Sequence, residues 1–153
     1  MVHISRLWRG PTAPAYVIAE AGVNHNGDPA LARELVHAAR EAGADAVKFQ
    51  TFRAEGLVAA DAPKADYQLR TTDPAETHRA MLQRLELSGE TLADLAALCR
   101  SVGIDFLSTP YGPDDLQTLA ALDVPALKMA SIHCAEPPFL ARAARLGRPL
   151  LLA

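Results

Sequence analysis

The sequence predicts an α/β fold of parallel strands: an incomplete (β/α)8 TIM barrel of about four and a half βα units. Three observations predict it. Short apolar runs of the kind buried on both faces of a parallel sheet alternate with longer segments of helical apolar periodicity. Polar and charged residues recur where each apolar run ends, which is where such barrels keep their active sites. Gly22 and Gly27 do not make a GxGxxG after the first run, and this weighs against an open dinucleotide-binding sheet. A full barrel takes ~250 residues. The expectation is therefore that a chain of 153 residues holds the first part of a barrel and stops before it closes.

The elements follow in order. Residues 1–15 are mixed and broken by Gly10, Pro11 and Pro14, and read as an N-terminal cap or hairpin ahead of a barrel segment over 16–153. Tyr16 to Ala19 reads as the first strand. Asp28 is a good N-cap and Pro29 suits the first helical position. Leu31, Leu35, Val36, Ala38 and Ala39 make an apolar stripe, ended by Gly43. Ala46 to Phe49 is the second strand. The polar stretch from Thr51 to Asp73 reads as a long irregular loop of the length that usually carries function. A short helix is expected over Ala75 to Leu85. Ser88 and Thr91 open a clear helix through Leu92, Leu95, Ala96, Leu98 and Cys99, closed by Gly103. Ile104 to Leu107 is the third strand. Pro113 and Asp114 begin a helix with Leu116, Leu119 and Leu122 on one face. Ala126 to Ala130 is the fourth strand, Pro137 and Pro138 open a further helix, and Pro149 to Ala153 begins a fifth strand. Strand–helix–strand repeats imply right-handed crossovers and a parallel sheet.

Composition limits the function classes. Half of the residues are hydrophobic, 22% are charged, and the net charge is -3 without a basic block, so a phosphate-neutralising nucleic-acid face is disfavoured. Two cysteines, Cys99 and Cys134, are too few for a disulfide framework and form no CxxC pair. A cytoplasmic protein is expected. No apolar run approaches the ~20 residues that span a bilayer, and the first ten residues lack a signal-peptide stretch.

The strand ends present a recurring set of polar groups. Glu20 closes the first strand and leads to Asn24, His25, Asn26 and Gly27; Lys48 and Gln50 belong to the second. Ser108, Thr109, Pro110 and Tyr111 end the third, and Lys128, Ser131 and His133 follow on the fourth. Lys48 and Lys128 carry the most information, because an unpaired ammonium within an apolar strand is costly. Either each pairs with a carboxylate such as Glu20 or Asp45, or both hold an anionic ligand at the barrel mouth, where lysine is a compact charge suited to phosphate or carboxylate. Thr109 and Ser131 would add neutral donors. His25 either braces its loop or, with Asn24, contacts a ligand. On an extended segment His133 and Cys134 would point in opposite directions, which makes a metal pair there improbable. Asp45 and Asp105 precede their strands and read as structural.

These residues, in this order, resemble the sialic acid (N-acetylneuraminate) synthase family. The matching segments are Ile18-Ala-Glu-Ala-Gly-Val-Asn-His-Asn-Gly27, Gly43-Ala-Asp-Ala-Val-Lys-Phe-Gln-Thr-Phe52, Phe106-Leu-Ser-Thr-Pro-Tyr111 and Lys128-Met-Ala-Ser131. Ala62-Pro-Lys-Ala-Asp-Tyr-Gln68 also looks familial. The resemblance implies a TIM barrel followed by an antifreeze-like domain, which is not expected within this chain. It implies condensation of phosphoenolpyruvate with N-acetylmannosamine or a related N-acetylated aminosugar, giving a nonulosonic acid plus phosphate. It further implies that Lys48, Gln50, Thr109, Tyr111, Lys128 and Ser131 bind substrate, and that Glu20, Lys48 and His133 serve catalysis. Tyr111 stands where the family usually has Phe, and His133 where it commonly has Glu; an imidazole there can act as acid or base. A divalent metal, Mn2+ or Mg2+, is implied for the full-length family with its ligands beyond this chain, as is a homodimer. The isolated chain is then expected to be inactive. Two alternatives stand beside this reading. Legionaminic or pseudaminic acid synthases share the barrel, and Lys48-Phe-Gln-Thr-Phe52 with Gly22-Val-Asn-His-Asn26 looks closer to the sialic and legionaminic types. Outside catalysis, the chain is a half-barrel that associates with itself or with a partner.

Overall fold

The helical and strand periodicities resolve into a strict alternation that begins at Ile18. The computed structural model describes residues 10–73 and 75–153. β1 (Ile18–Gly22), α1 (Pro29–Glu41) and β2 (Ala46–Thr51) form the first βαβ unit. Three short helices follow: α2 (Ala54–Leu57), α3 (Asp66–Thr71) and α4 (His78–Gln83). Next come α5 (Gly89–Val102), β3 (Asp105–Pro110), α6 (Pro113–Ala121) and β4 (Leu127–Met129). A 3₁₀ helix (Ser131–Ala135), α7 (Pro137–Ala144) and β5 (Leu150–Leu152) end the order. All strand pairs are parallel. The hydrogen-bonded ladders are β1-β2-β3 and β4-β5, with β4 lying against β3.

Local chemistry explains the helix limits. The Asp28 carboxylate accepts from the Ala30 N–H at 2.7 Å, with Pro29 inside the first turn. The Ser88 hydroxyl accepts from the Thr91 N–H at 3.0 Å, and Gly103 closes α5 in the left-handed region at φ 76°. Arg40 Nε donates to the Val102 carbonyl at 2.9 Å, tying the end of α1 to the end of α5.

The sheet divides the core in two. On the helix side, Val36, Val47, Phe49, Leu92, Leu95, Phe106, Leu116, Leu119, Leu127 and Met129 pack together. On the opposite face, Ala46, Leu107 and Ala126 form a small cluster, with Tyr16, Ile18 and Leu151 against it. The residues just beyond this cluster along each strand stand above an apolar floor.

Several expected limits move, each for a physical reason. The first strand runs over Ile18–Gly22 instead of Tyr16 to Ala19, because Ile18 pairs with Ala46 at the start of β2. Tyr16 is used below the strand, where its hydroxyl donates to Asp105 at 2.7 Å, and the Val17 N–H donates to Asp45 at 2.8 Å. Both aspartates thus serve the end of the sheet remote from the site. The buried stripe of α1 runs through Ala32, Val36 and Ala39, while Ala38 faces solvent. The stretch from Thr51 to Asp73 holds α2 and α3 and is more ordered than its polarity suggested. Lys64 Nζ donates to the Asp73 carbonyl at 2.6 Å and to Thr72 Oγ1 at 3.1 Å, and Gln68 Oε1 caps α3 by accepting from the Ala65 N–H. Polar contacts of this kind leave no periodicity to read. The helix expected over Ala75 to Leu85 shortens to His78–Gln83, because Thr77 takes the N-cap with its side chain. His133 and Cys134 lie on a 3₁₀ helix, so the alternation expected of an extended segment does not apply to them. Of the expected N-terminal cap, residues 1–9 lie outside the described residues, and Gly10 to Ala13 form a turn closed at 3.3 Å. Among the described residues, no helix is long and apolar enough to cross a membrane.

Leu95 is fully buried at the centre of the helix-side core. Leu95→Ala is expected to cost about 2–5 kcal/mol and Asp28→Ala about 1 kcal/mol, measured by urea unfolding.

Candidate active site

Strand register decides which side chains share the inner face. Glu20 pairs with Lys48, Lys48 with Leu107, and Gln50 with Thr109. In register, these residues rise from the same face as Ala46 and Leu107. Lys128 lies two residues beyond Ala126 on β4 and is in register with Leu151. One face therefore carries Glu20, Lys48, Gln50, Thr109 and Lys128 at the C-terminal ends of its strands, directly above the apolar floor.

The electrostatics of this face are unbalanced. Lys48 Nζ lies 2.6 Å from Glu20 Oε2, so the carboxylate expected as a possible partner is indeed its partner. The Lys48 side chain is only 10% exposed and that of Glu20 is 55% exposed, which leaves the carboxylate open to solvent. Lys128 has no carboxylate within ion-pair distance among the described residues, and its ammonium donates to the Met129 carbonyl at 2.9 Å. Burial, and then the neighbouring Lys48 charge, push the Lys128 pKa below the ordinary lysine value; Glu20 works in the opposite direction. The face thus carries two ammonium groups and one carboxylate, which is paired with Lys48. The face is short of negative charge and suited to an anion.

Glu20 owes its direction to an irregularity of the strand. The β1 register shifts between Glu20 and Gly22, as a bulge does when it re-aims a side chain. Gly22 adopts φ 54°, and a Cβ there would sit 3.2 Å from Glu20 Oε1 and 3.8 Å from Gln50 Nε2. The conformation favours a glycine, and a side chain there would press on the Glu20 carboxylate.

The remaining expected site residues divide. Thr109 is buried on the inner face and Ser131 is exposed at the start of the 3₁₀ helix. Tyr111 is half-buried, and burial, then the Glu20 charge, raise its phenol pKa. Asn24 is exposed in the loop after β1. His25 is fully buried, with its ring 6.1 Å from that of Phe49, and its Nδ1 accepts from the Gly27 N–H at 3.0 Å. It braces its loop. His133 is 2% exposed and lies between the rings of Tyr111 at 5.6 Å and Phe139 at 4.6 Å. In this arrangement it supports Tyr111 and does not open onto the lysines. Cys134 is exposed on the 3₁₀ helix, and its thiol donates to the Ala153 carbonyl at 3.3 Å. A groove of about 690 Å³ lies between the start of α6 and α7, lined by Tyr111, Phe139, Arg142 and Arg145, but by neither lysine. Charge and register, more than concavity, make the inner face the candidate site.

A sequence profile described as the NeuB family matches residues 35–153. The chain belongs to the NeuB family. It is 45% identical over 144 residues to the N,N'-diacetyllegionaminic acid synthase of Legionella pneumophila, an alignment covering 94% of this chain and 40% of that protein. Against the synthase of the same name from Campylobacter jejuni it is 40% identical, covering 89% of this chain and 41% of the relative. Proteins named N-acetylneuraminate-9-phosphate synthase and pseudaminic acid synthase are also relatives. The crystal structure of the N-acetylneuraminic acid synthetase of Leptospira borgpetersenii, in complex with citrate, superposes with a TM-score of 0.73 at 28% identity, covering 92% of this chain and 44% of that one. The chain spans about two-fifths of the length of the relatives it matches. The α/β fold with parallel strands and the synthase family are both as the strand-end motifs implied.

Cys99 is buried and its thiol pKa is pushed up to about 12 by burial, whereas Cys134 is exposed. An alkylating reagent is expected to modify Cys134 in the native NeuB-family chain and Cys99 only after unfolding, as read by peptide mass spectrometry. Fast labelling of Cys99 would contradict the packing of α5.

Proposed function

We propose that this chain supplies the phosphoenolpyruvate-holding part of a nonulosonic acid synthase, with residues 16–153 as the N-terminal part of its barrel domain. The observation that carries the reading is the inner face with one carboxylate on β1 and a lysine on each of β2 and β4, all at the C-terminal ends of their strands. In the proposed reaction the methylene carbon of phosphoenolpyruvate bonds to the aldehyde carbon of an open-chain N-acetylated aminosugar, and the aldehyde π electrons move to its oxygen, which takes up a proton. Positive charge develops at the phosphate-bearing carbon, water adds there and loses a proton, and the resulting hydroxyl gives up its proton to form the ketone as phosphate leaves with its C–O bond electrons. Lys48 and Lys128 hold the phosphate and carboxylate, with Gln50, Thr109, Tyr111 and Ser131 around them. Positioning and fixed charge do most of the work. Glu20, exposed beside Lys48, faces the region of the developing positive charge. His133 is closed off by Tyr111 and Phe139 and is assigned no proton transfer.

No group of three or more His, Cys, Asp or Glu side chains among the described residues is arranged to hold a metal ion. The ligands of the divalent metal implied by the resemblance are expected beyond this chain, and no step is routed through one. The 153-residue chain is expected to bind phosphoenolpyruvate without turning it over, since the relatives named as synthases are far longer.

Identities of 45% and 40% to two diacetyllegionaminic acid synthases, against 28% to the sialic acid synthetase of known structure, favour a second reading of the acceptor. On that reading the acceptor is the sugar that leads to N,N'-diacetyllegionaminic acid instead of N-acetylmannosamine.

Titration calorimetry with phosphoenolpyruvate tests the anion site. Lys128→Ala removes a charge-assisted contact and is expected to weaken binding by about tenfold or more. Because the Lys128 pKa is lowered, its positive charge is lost at a lower pH than that of an ordinary lysine. Affinity should therefore hold near neutrality and fall on the alkaline side earlier than a normal lysine would dictate. Equal binding by wild type and Lys128→Ala would refute the assignment.

A further inference from the structure

The loop between β1 and α1 is a run of tight turns. The Asn24 N–H donates to the Ala21 carbonyl at 3.0 Å, Asn26 to Val23 at 3.0 Å and Asp28 to His25 at 2.8 Å. Asn26 and Gly27 both have positive φ, at 52° and 79°. A Cβ on Gly27 would overlap the Arg84 carbonyl oxygen just past α4, so the loop is held from outside as well. From inside it is held by His25, whose ring lies over Phe49 on the helix side of β2. Phe49 stands back to back with Lys48 and Gln50, which face the site.

The His25 ring has a defined protonation pattern. Nδ1 accepts from the Gly27 N–H, so the single proton of the neutral ring resides on Nε2. Nε2 is buried without a hydrogen-bond partner at normal geometry. A phenylalanine would fill the same space but could not accept the Gly27 N–H. The neutral form is also the one that burial favours, against a smaller opposing pull from the Gly22 carbonyl.

We propose that His25 is a positioning residue: through its Nδ1 bond to Gly27 it fixes the loop over 22–27, and so holds Gly22 where Glu20 and Gln50 require it. Its effect on ligand binding rests on the phosphoenolpyruvate reading given above; its effect on the loop does not. Gly22 is the link: it ends β1 and begins the loop, and a Cβ on it would lie 3.2 Å from Glu20 Oε1 and 3.8 Å from Gln50 Nε2.

The test compares His25→Asn, whose Oδ1 replaces the Nδ1 acceptor without the ring, with His25→Phe, which keeps a ring without the acceptor. Both are made in the 153-residue chain and read by Gly27 amide hydrogen exchange and by phosphoenolpyruvate calorimetry. Loss of one neutral hydrogen bond in His25→Phe is expected to speed Gly27 exchange about fivefold and to weaken binding by a similar factor. His25→Asn should stay within about twofold of wild type in both. Wild-type behaviour of His25→Phe, or equal damage in the two variants, overturns the proposal. If His25→Phe does not fold, the ring nitrogen shifts of wild-type His25 decide: Nδ1 unprotonated and Nε2 protonated supports it, and a proton on Nδ1 overturns it. A wild-type chain that binds no phosphoenolpyruvate sinks the functional reading, and Gly27 exchange then decides the role of His25 alone.

Discussion

β2 is hydrogen-bonded in parallel register to β1 on one side and β3 on the other, and almost everything else follows from that double pairing. A parallel strand between two neighbours, covered on its faces, has little freedom to slip, because a shift of one residue would exchange its inner and outer faces. Val47 and Phe49 must point to the helices, so Lys48 and Gln50 must point the other way. The lysine is held in a poorly solvated place by the same constraint that packs the core. Glu20 on the adjoining strand relieves part of that cost, and the relief is partial because Glu20 remains open to solvent.

The anion-seeking character of the inner face is therefore a property of the sheet more than of any loop. Each strand end contributes one or two groups above the apolar floor of Ala46, Leu107 and Ala126. Apolar residues at floor positions and polar or charged ones a step further along the strands divide one surface into a structural part and a chemical part. Tyr111 and His133 add an aromatic wall at one side, backed by Phe139. A histidine wedged between two rings does the work of a packing residue, and this chain uses it where the resemblance leads one to expect a carboxylate.

Much of the fold was legible because its signals are local. Asp28 with Pro29, Ser88 with Thr91, and Gly103 mark helix limits through bonds that span only a few residues. The excursion between β2 and α5 was less legible. Its short helices are fixed by Lys64, Gln68 and Glu76, whose partners are polar, so no apolar period betrays them. The first strand was placed too early for a related reason: Tyr16 and Val17 are apolar enough for a strand, but their polar groups are taken by Asp105 and Asp45.

For the site, the sequence alone determined which residue types stand at the strand ends, since apolar runs and the polar residues that close them lie together in the chain. It also carried the family, through four short motifs at consecutive strands. Only the tertiary structure decided which of those residues act together. Lys48 meets Glu20 and not Asp45 because parallel register brings equivalent ends of neighbouring strands side by side, leaving Asp45 at the far end of the sheet. His25 and His133 read alike as polar residues near a mouth, yet both are buried, one against Phe49 and the other between Tyr111 and Phe139. Burial of a side chain depends on what distant segments place over it, and that information exists only once the chain is folded.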